Sequence, residues 1–207
     1  MKVAIIDYGM SNLGSVRRAF EECGASVRVC GKPDELDGER RLVLPGVGSF
    51  ADGMRNLTDR GWAEALPGCL KDSSVSLLGI CLGMQLLAET GCEGGSTPGL
   101  GLVKGHVRKL QPTDLRERVP HVGWNEVQHQ ASISLFNGIA SGTDFYFVHS
   151  FHFADAGDAI VATTPYAGQF ASVVNRGNVF GTQFHPEKSS RPGFALIRNF
   201  MLKEVNA

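Results

Sequence analysis

Cys81 is the residue on which chemistry can be built. It lies in Gly79-Ile80-Cys81-Leu82-Gly83, after the apolar run Val75 to Ile80 and before Met84-Gln85-Leu86-Leu87-Ala88-Glu89, which reads as helix. Strand, tight turn and helix with a glycine two positions either side of the nucleophile is the nucleophile-elbow pattern G-x-S-x-G, here with Cys in place of Ser. A helix starting at the turn aims its free N–H groups and positive dipole end at the sulfur, and both favour thiolate over thiol. The Leu82 N–H is placed to stabilise an oxyanion formed by attack at Cys81. By itself a cysteine after a strand is most often a small buried hydrophobe, so the chemistry needs a second half.

Gly181-Thr182-Gln183-Phe184-His185-Pro186-Glu187-Lys188-Ser189 supplies it. A thiol nucleophile needs a base, and imidazole serves near neutral pH. His185 follows a strand-like run, Val179 to Phe184. Glu187, two residues on, falls on the same side of an extended chain, and a carboxylate there fixes the imidazole tautomer. Cys81, His185 and Glu187 therefore form a candidate catalytic triad. His106, His121, His129, His149 and His152 show no metal spacing, and no metal is expected.

These groups must be carried by an α/β frame. Val3 to Asp7, Ser26 to Val29 and Arg41 to Leu44 read as strands. Between the first two, a helix capped by Ser11 or Asn12 runs to about Cys23 and stops at Gly24. Ala51 to Leu70 reads as helix broken at Gly61 and at Pro67-Gly68, and Val75 to Cys81 as the central strand. This is the βαβ rhythm of a parallel sheet. Gly46-Val47-Gly48, at the C-terminal end of the third strand, lies on the edge where open α/β sheets bind ligands. From Gly91 to Gly99 the chain reads as loop. Short strand-like runs then dominate: Leu102-Val103, His106 to Leu110, Trp124 to Val127, Phe145 to Phe151, Ile160 to Thr164, Phe170 to Asn175 and Val179 to Phe184. Pro192 to Glu204 reads as a closing amphipathic helix. The expected fold is an open, mostly parallel sheet flanked by helices, with antiparallel strands added in the second half, all in a single domain, 1–207.

Composition narrows the setting. The charge balance of 20 basic against 21 acidic residues leaves no field that attracts nucleic acid or an anionic membrane. No apolar run approaches the roughly 20 residues of a membrane span. Five cysteines, an odd number without metal spacing, fit free thiols in a reducing cytoplasm.

Six runs carry a specific resemblance. They are Asp7-Tyr8-Gly9-Met10, Pro45-Gly46-Val47-Gly48, Gly79-Ile80-Cys81-Leu82-Gly83-Met84-Gln85-Leu86-Leu87, Pro120-His121-Val122-Gly123-Trp124-Asn125, Tyr146-Phe147-Val148-His149-Ser150 and His185-Pro186-Glu187-Lys188-Ser189. The elbow and the His-Pro-Glu run resemble class I (triad) glutamine amidotransferases. All six in this order resemble, within that family, the glutaminase subunits of imidazole glycerol phosphate synthases. Ser11 stands where that pattern usually has Gly, and Phe151-His152 where it commonly has Tyr and a polar or basic residue.

The resemblance implies hydrolysis of glutamine to glutamate and ammonia through a Cys81 thioester, with no cofactor. It implies an oxyanion hole from Leu82 and the Gly46-Val47-Gly48 backbone, the latter often misaligned until the partner is ready. Gln85, Ser150 and Phe151 would hold the amino-acid end of glutamine. Asn12, Trp124, Tyr146 and Lys188 would face a (β/α)8 barrel cyclase in a heterodimer, and ammonia would pass to it for synthesis of imidazole glycerol phosphate and AICAR in histidine biosynthesis. Two other functions fit the elbow: a paralogous glutaminase subunit feeding another synthase, such as one amidating a sugar, and a stand-alone cysteine hydrolase of similar fold.

Overall fold

Along the first strand, Val3 and Ile5 enter one apolar core and Ala4 and Ile6 the other. A strand buried on both faces belongs between two helical layers, and the computed structural model, which describes residues 1–130 and 133–202, has that layering. In chain order the elements are β1 (Lys2–Ile6), α1 (Leu13–Glu22), β2 (Ser26–Cys30), β3 (Arg41–Gly46), α2 (Phe50–Asp59), α3 (Trp62–Cys69), β4 (Ser76–Cys81) and the one-turn α4 (Leu82–Gln85). There follow β5 (Thr90–Gly91), β6 (Thr97–Pro98), β7 (His106–Lys109), β8 (His121–His129), β9 (Thr143–His149), β10 (Phe151–Ala154), β11 (Ile160–Thr164), β12 (Phe170–Arg176), β13 (Val179–Thr182) and α5 (Ser190–Leu202).

The order β2-β1-β3-β4-β13 is parallel, and from β13 the sheet continues antiparallel through β12, β10 and β7. Apolar residues of α1 and α5, among them Phe20, Leu196 and Phe200, fill one core. Those of α2, α3 and α4, among them Phe50, Trp62 and Met84, fill the other. The strands β8 and β9 form an antiparallel ribbon with Trp124 opposite Tyr146, joined to the sheet through β11. One pairing matters most for function. β13, from the far end of the chain, lies parallel against β4 with Thr182 beside Ile80, so the segment after each strand emerges at the same sheet edge.

Several local expectations need correction. Pro67 lies inside α3 rather than ending it. It removes one helical bond, but the fully buried Trp62 and Leu66 anchor the turn and Leu70 N–H still reaches the Leu66 carbonyl. Strand β3 runs through Pro45 to Gly46. It pairs with β1 only at Leu42 and Val43, so beyond them it has one neighbour and a missing N–H is tolerated. The helix after the elbow spans Leu82–Gln85, shorter than expected. The carbonyls of Leu86, Leu87 and Ala88, which a longer helix would use, instead accept the N–H groups of Leu100, Val103 and Gly101. Those bonds also make Leu102-Val103 a bend, not a strand. The 91–99 loop contains β6 and is flanked by β5, two short paired strands. The expected end of the last helix, residues 203 and 204, lies outside the described residues.

Candidate active site

Cys81 ends β4 with φ +54° and ψ −110°. That region is strained for a residue with a side chain, and such strain clusters where function requires it. The two elbow glycines are close-approach sites. A Cβ on Gly79 would stand 2.6 Å from the Gly83 carbonyl oxygen, and one on Gly83 would collide with the Leu44 carbonyl. Only hydrogen at both positions lets the chain fold back tightly enough to lift Cys81 to the sheet edge.

From the adjacent β13 the chain runs on through Gln183 to His185. His185 Nδ1 lies 2.8 Å from Glu187 Oε1, and the imidazole is buried. The route to this contact differs from the expected extended chain. Pro186–Lys188 is a 3-10 turn, closed by Lys188 N–H on the His185 carbonyl and Ser189 N–H on the Pro186 carbonyl. The turn is held from behind by β9: His185 N–H donates to the Tyr146 carbonyl, and Ser189 Oγ donates to the His185 carbonyl while accepting from Tyr146 N–H.

The charge state of His185 follows from its neighbours. Burial alone depresses an imidazole pKa. Here it is outweighed by the Cys81 sulfur and the Glu187 carboxylate, which hold the pKa up at about 10. His185 Nε2 makes no hydrogen bond to a described group in this geometry. A pKa raised that far leaves the ring protonated at neutral pH. Across the pocket the Cys81 thiol donates to the Val148 carbonyl at 3.8 Å, and Gln183 Nε2 donates to the sulfur at 3.7 Å.

A cavity of about 320 Å³ opens over this group. Its lining includes Cys81, His185, Leu82, Val47, Gly48, Gln85, Glu93, His149, Ser150 and Phe151. Of the expected oxyanion donors, Leu82 begins α4 beside the sulfur. Val47 N–H, however, donates 2.8 Å to the Met10 carbonyl. A Cβ on Gly46 would run into the Tyr8 hydroxyl. That hydroxyl is fully buried with no hydrogen-bond partner among the described residues. Burial first, and the Cys81 charge second, keep its pKa far above the ordinary value.

Glu93 is a lining residue that the sequence reading missed. Its Oε2 accepts the Phe50 N–H at the start of α2, which holds a carboxylate at the cavity wall. An acidic side chain in a Gly/Ser-rich loop just after the elbow was the available signal. The pair His121 and His149 was also missed as a unit. His149 Nδ1 donates 2.8 Å to the Phe151 carbonyl, a group that can only accept. His149 Nε2 must then accept from His121 Nδ1, 3.0 Å away, and Asn125 Nδ2 lies 3.3 Å from His121 Nε2. Burial keeps both rings neutral, with pKa values lowered to about 3 for His149 and about 4 for His121.

Away from the cavity, Trp124 is 51% exposed and meets the Tyr146 ring edge-on at 6.1 Å. The Lys188 ammonium stands 6.0 Å from the Tyr146 centroid. Val122, two residues before Trp124 on β8, is also exposed and was not anticipated. Asn12 caps α1, accepting from Ser15 N–H, and α1 packs on the 186–188 turn. Among the described residues no cluster of His, Cys, Asp or Glu is arranged to hold a metal, and no helix is long and apolar enough to cross a membrane.

The model of the family "Glutamine amidotransferase class-I" matches residues 4–204. A protein of Moorella thermoacetica named imidazole glycerol phosphate synthase subunit HisH is 48% identical over 96% of this chain and 93% of its own length. A Chromobacterium violaceum protein of the same name is 44% identical over the full length of both. Among solved structures, a glutamine amidotransferase superposes with TM-score 0.76 at 19% identity, covering 96% of each chain. PurLQS from Thermotoga maritima superposes with TM-score 0.74 at 21% identity, covering 97% of each. These two likenesses speak to the fold.

Proposed function

The chain belongs to the class-I glutamine amidotransferases, and on that footing we propose that it is the glutaminase subunit of an imidazole glycerol phosphate synthase, with Cys81, His185 and Glu187 as its catalytic residues. The single observation that carries the residue assignment is the meeting of β4 and β13: they bring a strained cysteine and a Glu187-bound imidazole, about a hundred residues apart in sequence, to one cavity. The near full-length relatives named HisH support the subunit assignment.

In this reading the Cys81 thiolate adds to the side-chain carboxamide carbon of glutamine. The oxyanion is met by the Leu82 N–H and by a backbone N–H of Gly46-Val47-Gly48. His185 gives its proton to the departing nitrogen, and ammonia leaves with formation of a γ-glutamyl thioester. His185, now neutral, takes a proton from water as the water attacks. Glutamate departs and the thiolate and imidazolium are restored, so Glu187 steadies a charge that returns each cycle. Gln85 and the backbone at Ser150 and Phe151 hold the amino-acid end of the substrate, and the Glu93 carboxylate suits its ammonium group. The product ammonia serves a (β/α)8 barrel cyclase docked on Asn12, Trp124, Tyr146 and Lys188, in histidine biosynthesis. Five free cysteines suit a cytoplasmic setting.

The deciding experiment is ammonia release from glutamine by the complex with its cyclase. Cys81→Ala abolishes it if the reading holds, and turnover retained in that variant ends the reading.

A further inference from the structure

Gln183 is fully buried two residues before His185. Its surroundings fix which way its amide points. The Phe151 carbonyl can only accept, so the group of Gln85 that meets it at 2.9 Å is the amide nitrogen, Nε2. The same nitrogen has a second hydrogen, directed at Gln183 3.0 Å away. Gln183 must answer with its oxygen, which leaves its own Nε2 facing the Cys81 sulfur at 3.7 Å. Each amide orientation follows from the one before, and the sequence begins at a carbonyl that cannot be reversed. His149 Nδ1 donates to the same carbonyl at 2.8 Å and helps hold it in place.

We propose that Gln183 is a catalytic residue of this site: its amide N–H donates to the Cys81 thiolate while its amide oxygen holds Gln85 in the orientation that receives glutamine. A donor toward sulfur stabilises the charged nucleophile before attack and again as the thioester collapses and the thiolate is released. With both Nε2 hydrogens of Gln85 engaged, the Gln85 amide oxygen is the part left to face the cavity. Gln183 thus couples the state of the sulfur to the seating of the substrate through one rigid, desolvated amide.

The proposal rests on Cys81 being the nucleophile, and its test separates the two. The full-length chain is alkylated with iodoacetamide across pH, and the Cys81 peptide is followed by mass spectrometry, a readout that needs no glutamine turnover. The titratable groups facing the sulfur are His185, His149 and Glu93 around the cavity, with Tyr8 behind it, and they are unchanged in the variants. Gln183→Leu removes donor and acceptor. The midpoint of Cys81 alkylation rises by about one pH unit, the size expected for losing a hydrogen bond to a charged group, and KM for glutamine rises with it in the cyclase complex. Gln183→Glu keeps an acceptor for Gln85 but sets a carboxyl group against the sulfur, so the midpoint rises while KM stays near that of the parent. It is also nearly isosteric, which keeps the test usable if the Leu variant fails to fold. Midpoints unchanged in folded Gln183→Glu protein overturn the assignment while leaving the nucleophile in place. Retained turnover in Cys81→Ala would instead remove the premise.

Discussion

Val47 donates its backbone N–H to the Met10 carbonyl across 2.8 Å. A donor engaged there is turned away from an oxyanion at Cys81, so on the proposed mechanism the isolated chain meets that oxyanion with the Leu82 N–H and without that of Val47. Loss of a single oxyanion-hole donor costs about 10²–10³-fold in rate. The isolated subunit should therefore release ammonia from glutamine slower by about that factor than the same subunit in complex with the cyclase and its substrate. Steady-state glutaminase assays with and without the partner measure the ratio, and equal rates would mean that the Val47 bond plays no part in restraint.

The raised pKa of His185 gives two dependent predictions. Protonated His185 is needed to expel ammonia, so kcat/KM is lost as pH rises through about 10, the value of the free enzyme. Glu187→Gln preserves shape but removes the charge that helps hold that value up. The alkaline limb of kcat/KM should move to lower pH, and kcat near neutrality should fall by about 10²–10⁴-fold, the contribution of a positioned acid–base group. Stability follows the same sign. A folded pKa above the ordinary 6.5 means that the fold binds the proton more tightly than the unfolded chain. The stabilisation is fully present below pH 6.5 and disappears as pH climbs toward 10. Melting temperatures across that window should decline less steeply in Glu187→Gln than in the parent.

His121 and His149 have the opposite sign. Their folded pKa values, about 4 and about 3, lie below 6.5, so the unfolded chain takes up protons first as the solution is acidified. Stability should fall from pH 6.5 toward pH 4 by about 1.4 kcal/mol per pH unit for each ring. His121 is stacked on Tyr166 at 4.0 Å and lies 5.0 Å from Phe147, so a phenyl ring fits the space, although it gives up the hydrogen bonds to His149 and Asn125. His121→Phe should roughly halve the acid slope in urea unfolding measured at pH 6.5, 5.5 and 4.5. An unchanged slope would place the acid sensitivity elsewhere.

What the sequence made legible, and what it hid, divides along a physical line. The elbow was readable because Gly79 and Gly83 are dictated by local steric approach, and short-range constraints leave their mark in residue type and spacing. The βαβ rhythm of the first half was readable for the same reason. The length of α4 was hidden because its limit is set by carbonyl capture from residues 100–103, an interaction with no local signature. Glu93 and the His121–His149 pair were hidden because their partners come from other elements. The orientation of Val47 N–H is a backbone torsion, and the run Pro45-Gly46-Val47-Gly48 permits more than one.

The exposed ribbon yields the last prediction. Trp124 and Val122 project from the same side of β8, 51% and 57% exposed, and large apolar side chains grouped in the open mark a contact surface. Trp124 meets Tyr146 edge-on, and Lys188 stands over the Tyr146 ring. Aromatic and cationic residues in such a patch commonly dominate binding. Lys188 also closes the 3-10 turn that carries Glu187, with its N–H on the His185 carbonyl. On the proposed assignment, the docking surface and the Glu187 turn thus share a residue. Trp124→Ala should weaken cyclase binding by about 2 kcal/mol or more, roughly 30-fold in Kd. Lys188→Ala should lower the partner-stimulated glutaminase rate by more than its loss of affinity explains. Titration calorimetry against the cyclase, paired with turnover at saturating partner, separates the two effects. A Trp124→Ala affinity within twofold of the parent, in a folded protein, would put the docking surface on another face.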